Sequence, residues 1–303
     1  MGEHAHEPVK AASVVLEPDW TMHEALRVFV RGGLDQLGAN AGRAMRSRNV
    51  EFLHQARVAL RRMRSALKLL QPAAEAVVVL QAELGWLAGE LGPARNWDVL
   101  IEETLPPIFR EYAKGEGAAD AETTRLLNAA RRRRAQARAI AKAAIASKRY
   151  AALARSLQGW LAARNPPTAP QAALTQLAAR KLRKRHKRLL REAEGLLQQT
   201  PEQRHGVRLD TKRLRYAVEF FGSLFARRAV KEYLRELEQL QDALGELNDA
   251  VVAARLLEGL TGAAGLAQFT RGWLASREAA SLALAGAALA RLSRCKRFWK
   301  SAA

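Results

Sequence analysis

Two segments of the chain carry the same cations at the same spacing. Residues 54–64 read His54-Gln55-Ala56-Arg57-Val58-Ala59-Leu60-Arg61-Arg62-Met63-Arg64. Residues 205–215 read His205-Gly206-Val207-Arg208-Leu209-Asp210-Thr211-Lys212-Arg213-Leu214-Arg215. Both fit H-x2-R-x3-[RK]-R-[ML]-R. Packing alone can repeat apolar residues. A histidine and four cations repeated at fixed spacing imply a shared task on the polar side, most simply capture of a polyanion. Guanidinium forks match phosphate oxygens, and a histidine among them changes its charge near neutral pH.

The elements that must position these groups are helices. At about 100° per residue, His54, Arg57, Arg61, Arg64 and Lys68 fall within a stripe roughly 80° wide. Leu53, Leu60, Met63, Leu67 and Leu70 lie opposite. In the second copy His205, Arg208, Lys212 and Arg215 form the stripe, opposite Val207, Leu214, Val218 and Phe221. Thr200-Pro201-Glu202-Gln203 reads as an N-cap, a proline at the first helical position and a capping-box partner. Asn49 caps the first copy. Each histidine then lies about one turn inside its helix, near the end that favours anions. Arg62 and Arg213 point off the stripe and flank it. A solvated basic face is the bland alternative, but such a face mixes signs. Here only Glu219, in the place of Lys68, interrupts the cations.

Composition agrees. The 303 residues hold 50 Lys+Arg against 30 Asp+Glu, a formal charge of +20, and the pI is about 11.0. At 49% hydrophobic the chain can bury a substantial core, which excludes a disordered basic tail. Nucleic acid, an acidic membrane and a phosphate polymer all suit this charge. One cysteine, Cys295, excludes an internal disulfide framework and a cysteine metal cluster. Residues 1–18 lack the apolar region of a secretion signal, so a cytoplasmic location is expected. The apolar stretch Ser281–Ala290 is too short to span a bilayer. His4-Ala5-His6 reads as part of a flexible tail, and no metal or cofactor is expected.

The expected fold class is all-α, with no alternating β-branched run. Residues 1–18 form a flexible tail, 19–165 a first helical half, 166–170 a proline-rich linker and 171–303 a second half. Helical spacing covers roughly 20–47, 50–71, 73–103 and 119–163, then 171–199, 201–226, 229–260 and 264–293. A second repeat supports the division: Leu84, Leu87, Leu91 and Gly92 match Leu237, Leu240, Leu244 and Gly245. The leucines read as a packing seam, and the glycines as a break or bend. Asp98 and Asp249 follow; capping of the next helix is preferred over holding stripe arginines.

Further cations could enlarge the site. The run 180–188, which includes Arg185, is the densest cluster; Arg180, Lys181, Arg183, Lys184, Lys187 and Arg188 are its candidate site residues, and Arg27 and Arg31 echo it in the first half. The Arg131–Arg134 run opens the fourth helix and points in all directions. His186 reads as part of a solvated face. Signs of catalysis are few. There is no phosphate loop, Rossmann fingerprint or H-E-x-x-H, and the acidic residues are too scattered to hold Mg²⁺. A non-catalytic binder is expected. Nucleic acid is the alternative ligand, but base stacking needs aromatic platforms. Tyr216 borders the second stripe where the first has Ser65, while Trp86, Trp160 and Trp273 look like core.

The string H-Q-A-R-V-A-L-R-R-M-R-S-A-L with R-N-W-D-V, then H-G-V-R-L-D-T-K-R-L-R-Y-A-V-E-F-F with L-Q-D-A-L-G-E-L-N-D-A, resembles the CHAD family, the conserved histidine α-helical domain. The resemblance runs from about Trp20 to Trp299. It implies two four-helix bundles related by an internal pseudo-twofold repeat, with a basic groove or pore that binds inorganic polyphosphate, and association with polyphosphate granules. The family's histidines map onto His54 and His205. Its basic residues map onto Arg57, Arg61, Arg62, Arg64, Arg208, Lys212, Arg213 and Arg215. Two features depart from the pattern. The E-x-E-x-K signature of the triphosphate-tunnel enzymes that precede many members is absent, and Gly206 stands where the first copy has Gln55. The arginines around His54 and His205 should lower their pKa values, and a bound polyanion should raise them again. Affinity is then expected to increase as pH falls through the histidine range.

Overall fold

The computed structural model describes residues 7–70, 75–115, 119–163, 173–258, 260 and 264–302. The 166–170 linker, the His4/His6 pair and the Leu70 side chain lie outside the described residues. Among those described, all regular structure is helical. Helices α1 (Met22–Ala44), α2 (Val50–Leu70) and α3 (Glu75–Val99) lead into a π-turn at Leu100–Thr104 and α4 (Leu105–Tyr112). Then come α5 (Ala119–Ala146), α6 (Lys148–Ala162), α7 (Leu174–Glu192), α8 (Pro201–Phe221), α9 (Arg227–Glu258) and α10 (Ala264–Arg294).

Local chemistry sets several boundaries. Thr21 and Thr200 each make a complete capping box, with Glu24 and Gln203 respectively. The Glu51 amide donates to Asn49 Oδ1 at 2.9 Å, as expected of an N-cap. The fourth expected helix is two, because the Ser147 hydroxyl accepts from the Tyr150 amide and starts α6 afresh. Short α4 was not anticipated; its paired prolines sit in its first turn, where a missing N–H costs nothing. Neither Gly92 nor Gly245 breaks its helix. Helix α3 runs through Gly92 and Pro93, and α9 through Gly245.

Helices α1, α2, α3 and α5 pack as neighbours, with α6 against α1 and α3. Helices α7, α8, α9 and α10 pack in sequence. The two sets meet where α2 lies on α8, α3 on α9 and α4 on α10. The apolar sides of the repeated helices supply the core. Leu60, Met63, Leu67, Val207, Leu214 and Val218 are all fully buried, and so is the leucine seam of α3 and α9. Each such side chain stabilises the fold by roughly 1.5–3 kcal/mol. Gly33 lets α1 approach α2: a Cβ there would lie 2.3 Å from Met63 Cγ.

The segment before α1, expected as a flexible tail, is docked over residues 7–18. Leu16 is buried, and its amide donates to Ser223 Oγ at 2.9 Å. Val9 exchanges hydrogen bonds with the buried Asn40 side chain. An apolar anchor and satisfied backbone groups outweigh the segment's polar composition. Trp86, Trp160 and Trp273 are only partly buried and lie at the core's edge. Arg149 covers Trp86 and Arg277 covers Trp273.

Candidate functional site

The two stripes meet only in part at the α2–α8 seam, through Arg61, Arg64 and Lys68 of α2 and Lys212 of α8. Arg61 is the pivot. It acts electrostatically on His54 and Arg57 of its own helix and on Arg208 and Lys212 of the other. Its guanidinium also lies 5.7 Å from the Tyr216 ring centre. A cleft of about 310 Å³ opens here. Arg61, Arg64 and Lys68 of α2, Lys212 and Arg213 of α8, and Arg185 of α7 line it, together with Gln81, Tyr216 and apolar residues. No carboxylate is among the lining residues.

Several of the cations here are poorly compensated, although Arg213 is paired with Asp210. The Nε atoms of Arg61 and Arg208 are buried without a hydrogen-bond partner, as is the Tyr216 hydroxyl. Burial first, then Arg208 and Arg61, pushes the Lys212 ammonium down to about 7, against the pull of Asp249. Burial, with Arg61 and Arg95, brings Arg57 to about 10. Arg208 and Arg185 are lowered chiefly by burial as well. Of these four, Lys212 and Arg185 line the cleft while Arg57 and Arg208 lie outside its lining; perturbed groups in a concave site mark it as a candidate functional site.

Arg57 donates to the Ala88 carbonyl at 3.0 Å, close against α3. A Cβ at Gly92 would lie 3.3 Å from its Nη1, so Gly92 makes room for the guanidinium, whereas at Gly245 a Cβ would meet nothing within 4 Å. His54 is half-buried, and its pKa is lowered by burial and by Arg95. His205 is exposed, with Nδ1 at 3.1 Å from Asn248 Oδ1. It lines a separate cleft of about 330 Å³ with Arg204, Arg208, Arg255 and a wall of α9 leucines and valines.

Other predicted site residues are already engaged. Glu219 pairs with Arg62 at 3.2 Å and with Arg215 of its own helix, so the acid that interrupts the stripe ties α2 to α8. Arg215 also donates to Gln241 at 2.6 Å. Asp210, buried, pairs with Arg213 at 2.6 Å and Arg188 at 2.7 Å. Arg27 donates to the Leu161 and Ala163 carbonyls, and Lys181 to the Leu69 carbonyl at 2.6 Å. Both therefore cap helix C-termini rather than face a ligand. Arg31, Arg180, Arg183, Lys184 and Lys187 are exposed and lie outside the cleft lining.

Four further expectations are corrected. His186 is not solvated. It is buried, with Nδ1 at 2.8 Å from the Tyr233 hydroxyl and its ring edge-on to Trp299. Asp98 does not cap a helix. It is fully buried inside α3, with Arg138 at 3.5 Å and Arg134 at 3.8 Å. Asp249 likewise lies within α9, where it acts on Arg208 and Lys212. The Arg131–Arg134 run sits in the middle of α5, and Arg134 also holds Glu102 at 2.7 Å.

The main residue missed was Arg185. On the α7 wheel it shares a face with Lys181 and Arg188, at the border of the apolar side, whereas Arg180, Arg183, Lys184 and Lys187 point farther out. Border cations enter clefts because their stems pack on the core while their heads reach solvent.

Fold and cleft together define an all-α protein whose cations converge at the seam of two helical sets. The CHAD domain family model matches residues 29–258, and the chain belongs to that family. A similar solved structure is the crystal structure of the CHAD domain from the plant Ricinus communis. It is 32% identical, with a TM-score of 0.82, over 97% of this chain and 98% of that one. PptA from Streptomyces chartreusis is 20% identical with a TM-score of 0.68, over 90% of this chain and 99% of that one, a likeness of fold. No curated protein matches.

Proposed function

We propose that the chain binds inorganic polyphosphate in the α2–α8 cleft and does not catalyse its turnover. The observation that carries this reading is the convergence of cations from α2, α7 and α8 on one cleft without a lining carboxylate. A flexible phosphate chain can touch several of these cations at once, releasing counterions as it binds. The carboxylates that would hold Mg²⁺ against a phosphate are not in those walls. On this reading residues 19–165 and 171–303 are copies of one bundle about a pseudo-twofold at the seam. The protein would then associate with polyphosphate granules in the cytoplasm.

Nucleic acid is the competing ligand. The aromatics of the cleft, Tyr216 and Phe220, are buried, so they offer bases no stacking platform. A competition titration tests the reading. Labelled long-chain polyphosphate is bound near physiological salt and challenged with single-stranded DNA, double-stranded DNA and RNA at equal phosphate concentration. A variant with Arg57, Arg61, Arg208 and Lys212 changed to alanine is run beside it. Polyphosphate should resist all three competitors, and the variant should lose binding. Equal displacement by nucleic acid, or an unimpaired variant, would refute the proposal.

A further inference from the structure

We infer that Lys212 is a covalent modification site for small acyl phosphates, which transfer their acyl group to its amine inside the cleft. Capture of the phosphate rests on the cleft accepting phosphate, as proposed above; the chemistry of the amine stands apart from that reading.

Among the described residues, two lysines line the cleft without an ion-pair partner: Lys68, which is exposed, and Lys212, which is half-buried among the cations. Arg213 is occupied by Asp210, Arg57 by a carbonyl of α3, and Lys181 by the end of α2. Among the described residues Lys212 has no carboxylate within ion-pair distance and no side-chain hydrogen bond, yet it lines a cleft of about 310 Å³. The charged groups that act on it are Arg61 from α2, Arg208 and Arg215 from α8, and Asp249 from α9, while Arg185 of α7 lines the same cleft. Their net effect, with burial, brings its pKa to about 7. At about pH 7.5 roughly three quarters of such an amine is neutral, against about one in a thousand for an ordinary lysine. Its lower basicity offsets part of that gain.

The step balances without an oxidant or reductant. The neutral Nζ attacks the acyl carbon, and a C–N bond forms. The C–O bond to the phosphoryl group breaks, and inorganic phosphate leaves with the electron pair. The extra proton on nitrogen passes to phosphate or solvent. Guanidinium groups in the cleft hold the phosphate end and favour its departure as charge develops. The product amide cannot be protonated, so the cleft can no longer gain that cation when a polyanion binds.

The test treats the whole chain with acetyl phosphate at about pH 7.5 and follows acetylation of Lys212, Lys184 and Lys187 by peptide mass spectrometry. Lys212 should react at least about tenfold faster than the two exposed lysines. Excess inorganic phosphate should slow Lys212 alone. Equal rates at all three lysines would overturn the inference. So would a Lys212 that leads only with a neutral ester, p-nitrophenyl acetate, because phosphate capture would then play no part. Polyphosphate affinity is measured in parallel on wild type and Lys212→Arg, before and after treatment. It should fall in wild type and hold in Lys212→Arg. Selective acetylation without any polyphosphate binding would sustain the modification site and sink the binding proposal. Polyphosphate binding with no selective acetylation would do the reverse.

Discussion

The pH dependence of binding puts the cleft's electrostatics to a quantitative test. Lys212 sits at about 7 in the free protein because burial, Arg208, Arg61 and Arg215 all disfavour its charge. A polyanion that pairs with the ammonium opposes both the burial and the repulsion, and full compensation would return the amine to the ordinary range of about 10.4. The bound-state pKa is then the higher one. The lysine's contribution is fully present below about pH 7 and is lost as pH rises towards about 10. Between pH 7 and pH 9 the protonated fraction of the free protein falls from about one half to about one hundredth, while the complex stays protonated. Affinity should therefore drop about 50-fold, equivalent to about 2.3 kcal/mol. The assay is fluorescence anisotropy of labelled polyphosphate at fixed ionic strength from pH 6 to pH 9, on wild type and Lys212→Arg. The arginine variant keeps the charge and should lose the slope. Parallel curves for the two proteins would refute the reasoning. His54, lowered by burial and Arg95, adds a smaller rise in affinity on the acid side. The sequence reading expects the pH response at the histidines; burial of Lys212 predicts that its larger part lies at a lysine.

Further outcomes follow from the same geometry. Lys212→Met should stabilise the unliganded protein at pH 7 by about 1–3 kcal/mol, because the unfolded chain binds the proton that the fold resists; the gain, read by urea unfolding, should fade as pH rises towards 10. Glu219→Gln should lower the melting temperature by removing the partner of Arg62 and Arg215, yet raise polyphosphate affinity and steepen its salt dependence by about one unit of slope. His186 is held neutral, at about 4, chiefly by burial. Its folded-state value lies below the unfolded one, so its stabilisation is full above about pH 6.5 and is lost as pH falls to 4. The stability gap between wild type and His186→Gln should narrow by about 2 kcal/mol across that window, measured by denaturant unfolding at each pH.

The sequence by itself determined most of the helical segments, though not α4 or the break at Ser147, and which sides of α2 and α8 are apolar and where the repeated cations lie along them. Those properties depend on a period of 3.6 residues and on local caps. Leu60, Met63, Val207 and Leu214 are therefore buried as expected, and Thr200 caps α8 with Gln203. Only the tertiary structure decided which cations remain free. Arg62 is engaged by Glu219 from another helix, Arg27 by the end of α6 and Lys181 by the end of α2, all through contacts between residues distant in the chain. Arg185, at the margin of an apolar side, enters the cleft only because α7 packs on α8. The same packing buries His186 within a run of cations that reads as solvated. A charge's partner and its desolvation are properties of three-dimensional neighbours, and these set the acidity of Lys212 and the availability of Arg61 and Arg208.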